Sequence, residues 1–361
     1  MLKGAISVNG AIQINEKKVE LRSLSLNEMV SLVESLGEKK FRGKQLYAWV
    51  HRGVRSIDEM TDLSAGFRQR LQSVAFLENI SVVEALRSEH DQTTKYLFRL
   101  KDDNVIEAVR MVYRHGVSAC LSTQIGCRMG CTFCASTLDG MVRNLTAGEM
   151  LGQLLEIQTL GGVRVSNVVL MGSGEPLDNF EEVTKFIDLA CSEEGLNLGQ
   201  RHITLSTCGI VPGIYALAEK NYQITLAISL HSAEDAVRSK LMPVNRKYPL
   251  TDVIRACDDY AQKTGRRVTY EYALIQGEND QESEAVKLAK LLKGKLCHVN
   301  LIPVNPVLER GFKASNDQAV RRFSEVLKKA GIETTVRREL GSDINAACGQ
   351  LRKSYLDQSE I

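Results

Sequence analysis

No stretch of this 361-residue chain approaches the roughly 18 consecutive apolar residues that a membrane-spanning helix needs. The opening residues, MLKGAISVNGAIQINEKKVE, contain no apolar core of signal-peptide length. Both absences predict a cytoplasmic protein with no membrane partner. An excess of one charge sign is missing as well: 46 Lys and Arg stand against 44 Asp and Glu, a net charge of +2. Net charge therefore gives no support on its own for a nucleic-acid partner, and only local patches can supply one. Internal repeats and low-complexity tracts are also absent. At 43% hydrophobic and 25% charged residues the chain is not disordered, and its length supports one large domain with an accessory one.

Cysteine is present in an odd number, nine, scattered except around residues 120 to 134. A reducing cytosol favours metal-binding or catalytic roles for such thiols over a disulfide framework. Cys191, Cys257 and Cys297 read as buried small hydrophobes. The dense stretch is QIGCRMGCTFCAS, where Cys127, Cys131 and Cys134 occupy eight positions beside Gly126 and Gly130. Glycines let the backbone curl around a ligand, and soft thiolates suit zinc or an iron-sulfur cluster. For zinc, Cys120 would be the fourth ligand, but it reads as part of a strand, on the face of Ser118 and Ser122, whereas zinc ribbons use paired-cysteine knuckles. Three ligands on a four-iron cubane would leave one iron open.

The pattern around this loop is informative. The first hundred residues read as a small α+β unit. Ser25 and Glu28 form a capping-box signature, and Met29, Leu32, Val33 and Leu36 follow at helical spacing. Further short helices are predicted near 42 to 53 and 64 to 74, then extended segments ISVVEALRS, TKYLFRL and NVIEAVRMVY. The run from Lys39 to Arg55 carries Lys39, Lys40, Arg42, Lys44, Arg52 and Arg55 and no acid, with Tyr47 and Trp49 inside it. It reads either as a solvated helix face or as an RNA contact.

From Val117 onward strands alternate with helices. Strands are predicted at 117–123, 166–172, 202–207, 223–230, 267–275 and 298–304, with helix caps such as Thr146 with Glu149 and Asn179 with Glu182. Six near-continuous apolar strands predict an α/β fold with a parallel sheet covered by helices, as an open partial barrel or a doubly wound sheet. Polar and glycine-rich segments (the cysteine loop, GSGEP, STCG, SLH, NP) fall at the carboxyl ends of these strands, where α/β folds place reactive sites. One shared pocket is expected there.

The spacing of the three cysteines, followed by MGSGEPLDN, resembles the radical S-adenosylmethionine (SAM) enzymes. FRGKQLYAW, MTDLS, RNLTAGE, STCGIVP, SLH, LMPVN, NLIPVNP and GSDINAACGQL narrow the resemblance to the bacterial methyltransferases of the adenine C2 carbon, from about residue 25 to about residue 352. It implies a radical-SAM partial (β/α)6 barrel at 101–361, with an RNA-binding accessory unit at 1–100. It implies a [4Fe-4S] cluster on Cys127, Cys131 and Cys134, and two SAM molecules per turnover. It assigns Gly174, Glu175, Ser206, Ser229, Leu230, His231 and Asn305 to the SAM site.

In the reaction the resemblance implies, adenine C2 is too electron-poor for direct methyl transfer. Cys348 is methylated first. A deoxyadenosyl radical abstracts hydrogen from that methyl, and the methylene radical adds to the ring. Glu107 then takes the ring proton, and Cys120 releases the product by a transient disulfide with Cys348. Alternation puts Glu107 on one strand face with Val105, Val109 and Met111, an apolar setting expected to favour its use as a base. Implied partners are large-subunit (23S) ribosomal RNA, transfer RNA, an electron donor such as flavodoxin or ferredoxin, and a thiol reductant; the chain is expected to be a monomer. Arg337 and Arg338 are candidates for phosphate contacts. Ser173 stands where the family usually has methionine, and Cys208 has no assigned role beyond packing. Methylation at adenine C8 uses the same cluster and cysteines; Pro176 after the glutamate favours C2. A zinc-stabilised RNA-binding module without catalysis is the reading from another class.

Overall fold

A computed structural model describes residues 18–305, 307–338, 340–344, 352 and 355. Its centre is a sheet of ten strands. Seven are parallel and adjacent in chain order: Gly116–Cys120, Asn167–Leu170, Ile203–Thr207, Thr225–Ser229, Val268–Leu274, Cys297–Pro303 and Thr334–Val336. A doubly wound sheet reverses its strand order at a switch point; this one never does. Sequential parallel order with a helix in each crossover belongs to a barrel wall, here left open. The six predicted strands are all present, and Thr334–Val336 adds a seventh.

The other edge of the sheet is an antiparallel meander of Ser81–Arg87, Thr94–Arg99 and Val105–Tyr113, joined to Gly116–Cys120. Its register matters for the site. The Cα partners Lys95, Val109, Cys120 and Val169 form one row across four strands. Glu107, two residues from Val109, therefore shares a face with Cys120 and Lys95.

Residues 26 to 74 fold as three short helices, Leu26–Ser35, Lys40–His51 and Ala65–Val74. The Ser25–Glu28 capping box forms. Apolar residues of these helices join the same continuous core as the sheet. The unit sits on the helix Ala147–Gly161 through polar contacts as well: Arg55 Nη2 lies 2.6 Å from Glu156 Oε2, and Gly148 N donates to Ser23 Oγ at 3.0 Å. Among the described residues no helix is long and apolar enough to cross a membrane.

Three local expectations need correction. Thr146 and Glu149 do form a capping box, but Asn179 and Glu182 do not. Asn179 instead donates to Thr123 O and Leu145 O at 2.9 and 2.8 Å, and Glu182 accepts from Ala147 N of the neighbouring helix at 2.8 Å. Both side chains therefore stitch elements together. Tyr47 is a core residue and cannot meet RNA; Trp49 is half-buried, and Phe41, half exposed, is the more open aromatic of that helix. Of the three packing cysteines only Cys257 is fully buried; Cys191 and Cys297 are half-buried against the core.

Candidate active site

The cysteine loop is closed at its base by a two-stranded ribbon of Gln124–Gly126 against Met141–Asn144. Gly126 has φ +73°, and a Cβ there would lie 1.9 Å from Gly140 O, so only glycine closes this turn. Cys127 N donates to Gly140 O at 2.9 Å. Further along, Thr137 Oγ1 donates to Cys131 O and Cys134 O at 3.0 and 2.9 Å, and Thr132 N to Leu241 O at 2.9 Å. The loop is thus fixed on both flanks before any ligand binds.

Cys127, Cys131 and Cys134 all open onto one cavity of about 270 Å³ at the carboxyl ends of the parallel strands. Among the described residues no three His, Cys, Asp or Glu side chains are grouped as ligands of a single metal ion. The thiols instead surround a common space. Burial pushes the Cys127 thiol up to about 12, with Cys134 and Glu175 adding to the effect through their charge. Cys131 is raised well above the usual thiol range by burial and by the same neighbours. Thiols crowded together in an apolar cavity resist ionisation unless a cation arrives, and coordination removes the proton outright. This donor set fits an iron-sulfur cluster.

The rest of the SAM set divides. Gly174, Glu175, Ser206, Ser229, His231 and Asn305 line the cavity. Gly174 has φ +107°, and a Cβ would come within 2.6 Å of Gln124 Cβ. Glu175 is buried, with Oε1 accepting from Leu177 N at 3.0 Å and Oε2 from Cys208 N at 2.7 Å. Burial raises its pKa and these hydrogen bonds oppose the rise, while they hold both carboxylate oxygens in place at the cavity wall. His231 takes φ +57° as its strand ends. Its Nδ1 accepts from Ala273 N at 2.9 Å, which fixes the tautomer with hydrogen on Nε2. Burial, with the charge of Arg238, lowers its pKa to about 3, so the ring is neutral. Leu230 does not reach the cavity: its side chain is in the core, while its N donates to Glu271 O at 2.9 Å.

Cys120 and Glu107 also stand outside the cavity lining. Cys120 is buried with Val109 and Met111 and packed by Met171, which does line the cavity, and by Leu340. Glu107 is buried, but its surroundings are not simply apolar: Oε2 is 3.3 Å from Nζ of Lys95, itself wholly buried. The expectation of an apolar setting missed this cation, which sits on the neighbouring strand. Oε1 of Glu107 accepts from Arg352 N at 2.5 Å. Cys348 lies outside the described residues. The described residues flanking it are tied down, Gly341 N to Asp91 Oδ2 at 2.8 Å and Arg352 Nε to Val105 O at 3.1 Å.

Several lining residues were not foreseen in this role. Glu271 and Arg337 open on the cavity, beside Cys208, which packs as expected and lies in the thiol-rich pocket. Glu271 Oε2 accepts from Asn300 Nδ2 at 2.9 Å. A carboxylate inside the apolar run VTYEYAL was the available signal for it. Arg337 is half-buried at the cavity whereas Arg338 is exposed, so the two adjacent arginines do not act as a pair. Ser173 is buried and is not a lining residue, although its neighbours Gly172 and Gly174 are.

Residues 121–289 match the Radical SAM superfamily, and residues 19–77 match the ribosomal RNA large subunit methyltransferase N-terminal domain. The probable dual-specificity RNA methyltransferase RlmN of Alkaliphilus oremlandii is 56% identical over 340 residues, covering 94% of this chain and 99% of that protein. The corresponding protein of Lachnoclostridium phytofermentans is 53% identical over 346 residues, covering 96% and 97%. Among solved structures, a radical SAM methyltransferase from Sphaerobacter thermophilus superposes with a TM-score of 0.88 at 41% identity, over 92% of this chain and 98% of that one. The chain belongs to the RlmN family of RNA methyltransferases within the radical SAM superfamily.

Proposed function

We propose that this protein methylates the C2 carbon of an adenosine in 23S ribosomal RNA and of an adenosine in transfer RNA. One observation carries the reading: three thiols and Glu175 open onto a single cavity in a chain similar to dual-specificity RNA methyltransferases over 94% of its length. When bound, the [4Fe-4S] cluster and SAM supply a 5′-deoxyadenosyl radical and the methyl group.

The chain's own residues do the rest. Cys127, Cys131 and Cys134 hold the cluster. Gly174, Glu175, Ser206, Ser229, His231 and Asn305 bind SAM through side chains or backbone, and Leu230 contributes from behind through its main chain. Cys348 carries the methyl group, Glu107 accepts the ring proton and Cys120 frees the product by pairing with Cys348; a thiol reductant reopens that disulfide. The N-terminal unit, within residues 1–100, holds RNA through its exposed lysines and arginines, so the target base leaves its stack and enters the cavity of the unit at 101–361. The protein acts as a cytoplasmic monomer served by a flavodoxin- or ferredoxin-like donor.

Mass spectrometry of nuclease-digested RNA from cells with and without the gene tests the reaction. Loss of 2-methyladenosine is expected; its persistence with loss of 8-methyladenosine refutes the C2 assignment. Cys120→Ala should accumulate protein crosslinked to RNA, and Cys348→Ala should give neither crosslink nor product. Normal turnover by Cys120→Ala rules out the proposed release step.

A further inference from the structure

Arg238 is wholly buried on the short helix Asp235–Leu241, behind the cysteine loop. Its guanidinium donates four hydrogen bonds: Nε to Leu230 O at 3.1 Å, Nη1 to Asn245 Oδ1 at 2.6 Å, and Nη2 to Cys208 O at 2.7 Å and Ser229 O at 3.2 Å. Every one of these acceptors is neutral. The carboxylate of Asp235 stands one step removed, receiving Asn245 Nδ2 at 2.8 Å and Leu250 N at 2.9 Å. A guanidinium out of water without a contacting anion is costly, and neutral carbonyls offset that cost only in part.

Besides Asp235, the groups that can carry negative charge toward Arg238 include Cys208 and Cys131 on the cavity side. Cys208, held by Arg238 through its carbonyl, lines the cavity with Cys131. Leu241 O, three residues beyond Arg238, receives Thr132 N from the middle of the cysteine loop. Met242, whose N donates to Arg238 O at 2.6 Å, is also a lining residue. Burial lowers the pKa of Arg238 itself, while charge on Cys208, Cys131 and Asp235 would raise it, so the thiols are electrostatic neighbours of the cation together with that carboxylate. A cluster on three thiolates gains one more negative charge when reduced, and net charge around a cluster is one of the levers that set its potential.

We propose that Arg238 is the fixed counter-charge of the cysteine loop, a positioning residue that clamps two strand ends and raises the reduction potential of the cluster. This rests on the cluster reading above. Arg238 touches neither substrate nor the reacting atoms; it acts through the loop and the charge it keeps behind it.

The test is an anaerobic redox titration, followed by electron paramagnetic resonance, of the reconstituted full-length protein, Arg238→Gln and Arg238→Lys. Iron and sulfide content and far-ultraviolet circular dichroism are recorded first. Arg238→Gln keeps a donor toward the carbonyls but loses the charge, and its one-electron reduction equilibrium should fall at least tenfold, a midpoint lower by about 59 mV. Arg238→Lys keeps the charge and should stay within a third of that shift. A fully loaded Arg238→Gln protein with the wild-type midpoint overturns the proposal. Should the glutamine variant fail to load, the lysine variant still decides against the counter-charge if its midpoint corresponds to a drop of tenfold or more. Wild-type protein that takes up no iron and sulfide would refute the cluster reading instead, an outcome distinct from either midpoint result.

Discussion

Replacing Lys95 by methionine tests how the Glu107 carboxylate is held. Both side chains of the pair are shut away from water, Lys95 completely and Glu107 at 5% exposure, with 3.3 Å between Nζ and Oε2. They are diagonal neighbours on adjacent antiparallel strands, since Lys95 faces Val109 and Glu107 faces Leu97. A long side chain spans such a diagonal. Removing one partner of a buried ion pair leaves a charge in low dielectric and typically costs about 3–5 kcal/mol. Lys95→Met alone and Glu107→Gln alone should each lose stability on that scale. The double variant retains an amide oxygen for Arg352 N and leaves no buried ion, and replacing a buried pair by neutral groups is often without net cost. It should therefore recover most of the loss, giving a coupling energy of about 3 kcal/mol or more in the double-mutant cycle. Urea unfolding of the full chain measures each corner. Additive single losses, or a Lys95→Met loss under about 1 kcal/mol, would show that the ammonium does not hold this carboxylate.

Other outcomes follow from single residues. His51 is buried with no hydrogen-bond partner for either ring nitrogen among the described residues, and burial lowers its pKa to about 4. A base with a depressed folded pKa takes up its proton only on unfolding. Its contribution is complete above about 6.5 and declines as pH falls toward about 4, by roughly 1.4 kcal/mol per unit. His51→Phe should therefore stabilise the chain by about 2 kcal/mol at pH 5 relative to its effect at pH 7, read from urea midpoints; equal effects at both pH values would contradict the shift. Gly126→Ala forces a Cβ onto Gly140 O at φ +73° and should open the base of the cysteine loop. Anaerobic reconstitution should then recover well under half of the wild-type iron, whereas a wild-type iron content would show that the ribbon adapts. Lys39 is exposed on the basic run, and Lys39→Glu should weaken RNA binding and reduce the slope of log affinity against log salt by about 1 or more. An unchanged slope would place the RNA elsewhere.

What the sequence made legible and what it hid separate along one physical line. The strands were readable because their apolar, β-branched runs are dictated by burial on both faces. The cysteine loop was readable because its three donors are neighbours in the chain and its turns demand glycine. Interactions between distant segments left no such trace. Glu182 has the spacing of a capping box with Asn179, yet it caps the neighbouring helix because two helix starts approach each other in space. Lys95 looks like any strand-edge lysine until the hairpin register places it over Glu107. Arg238, in DAVRSKLMPVN, has the local look of a solvated helix face, and only the packing of its helix against the strand ends at Cys208, Ser229 and Leu230 buries it. Leu230 shows the converse: the motif SLH is local, but it straddles the end of the strand, where the left-handed turn at His231 leaves Leu230 in the core while Ser229 and His231 face the cavity. Charge buried in a folded chain must find a partner. The charged residues embedded in otherwise apolar strands here, Lys95, Glu107 and Glu271, are therefore the positions where the sequence already records that a partner exists, without recording which one.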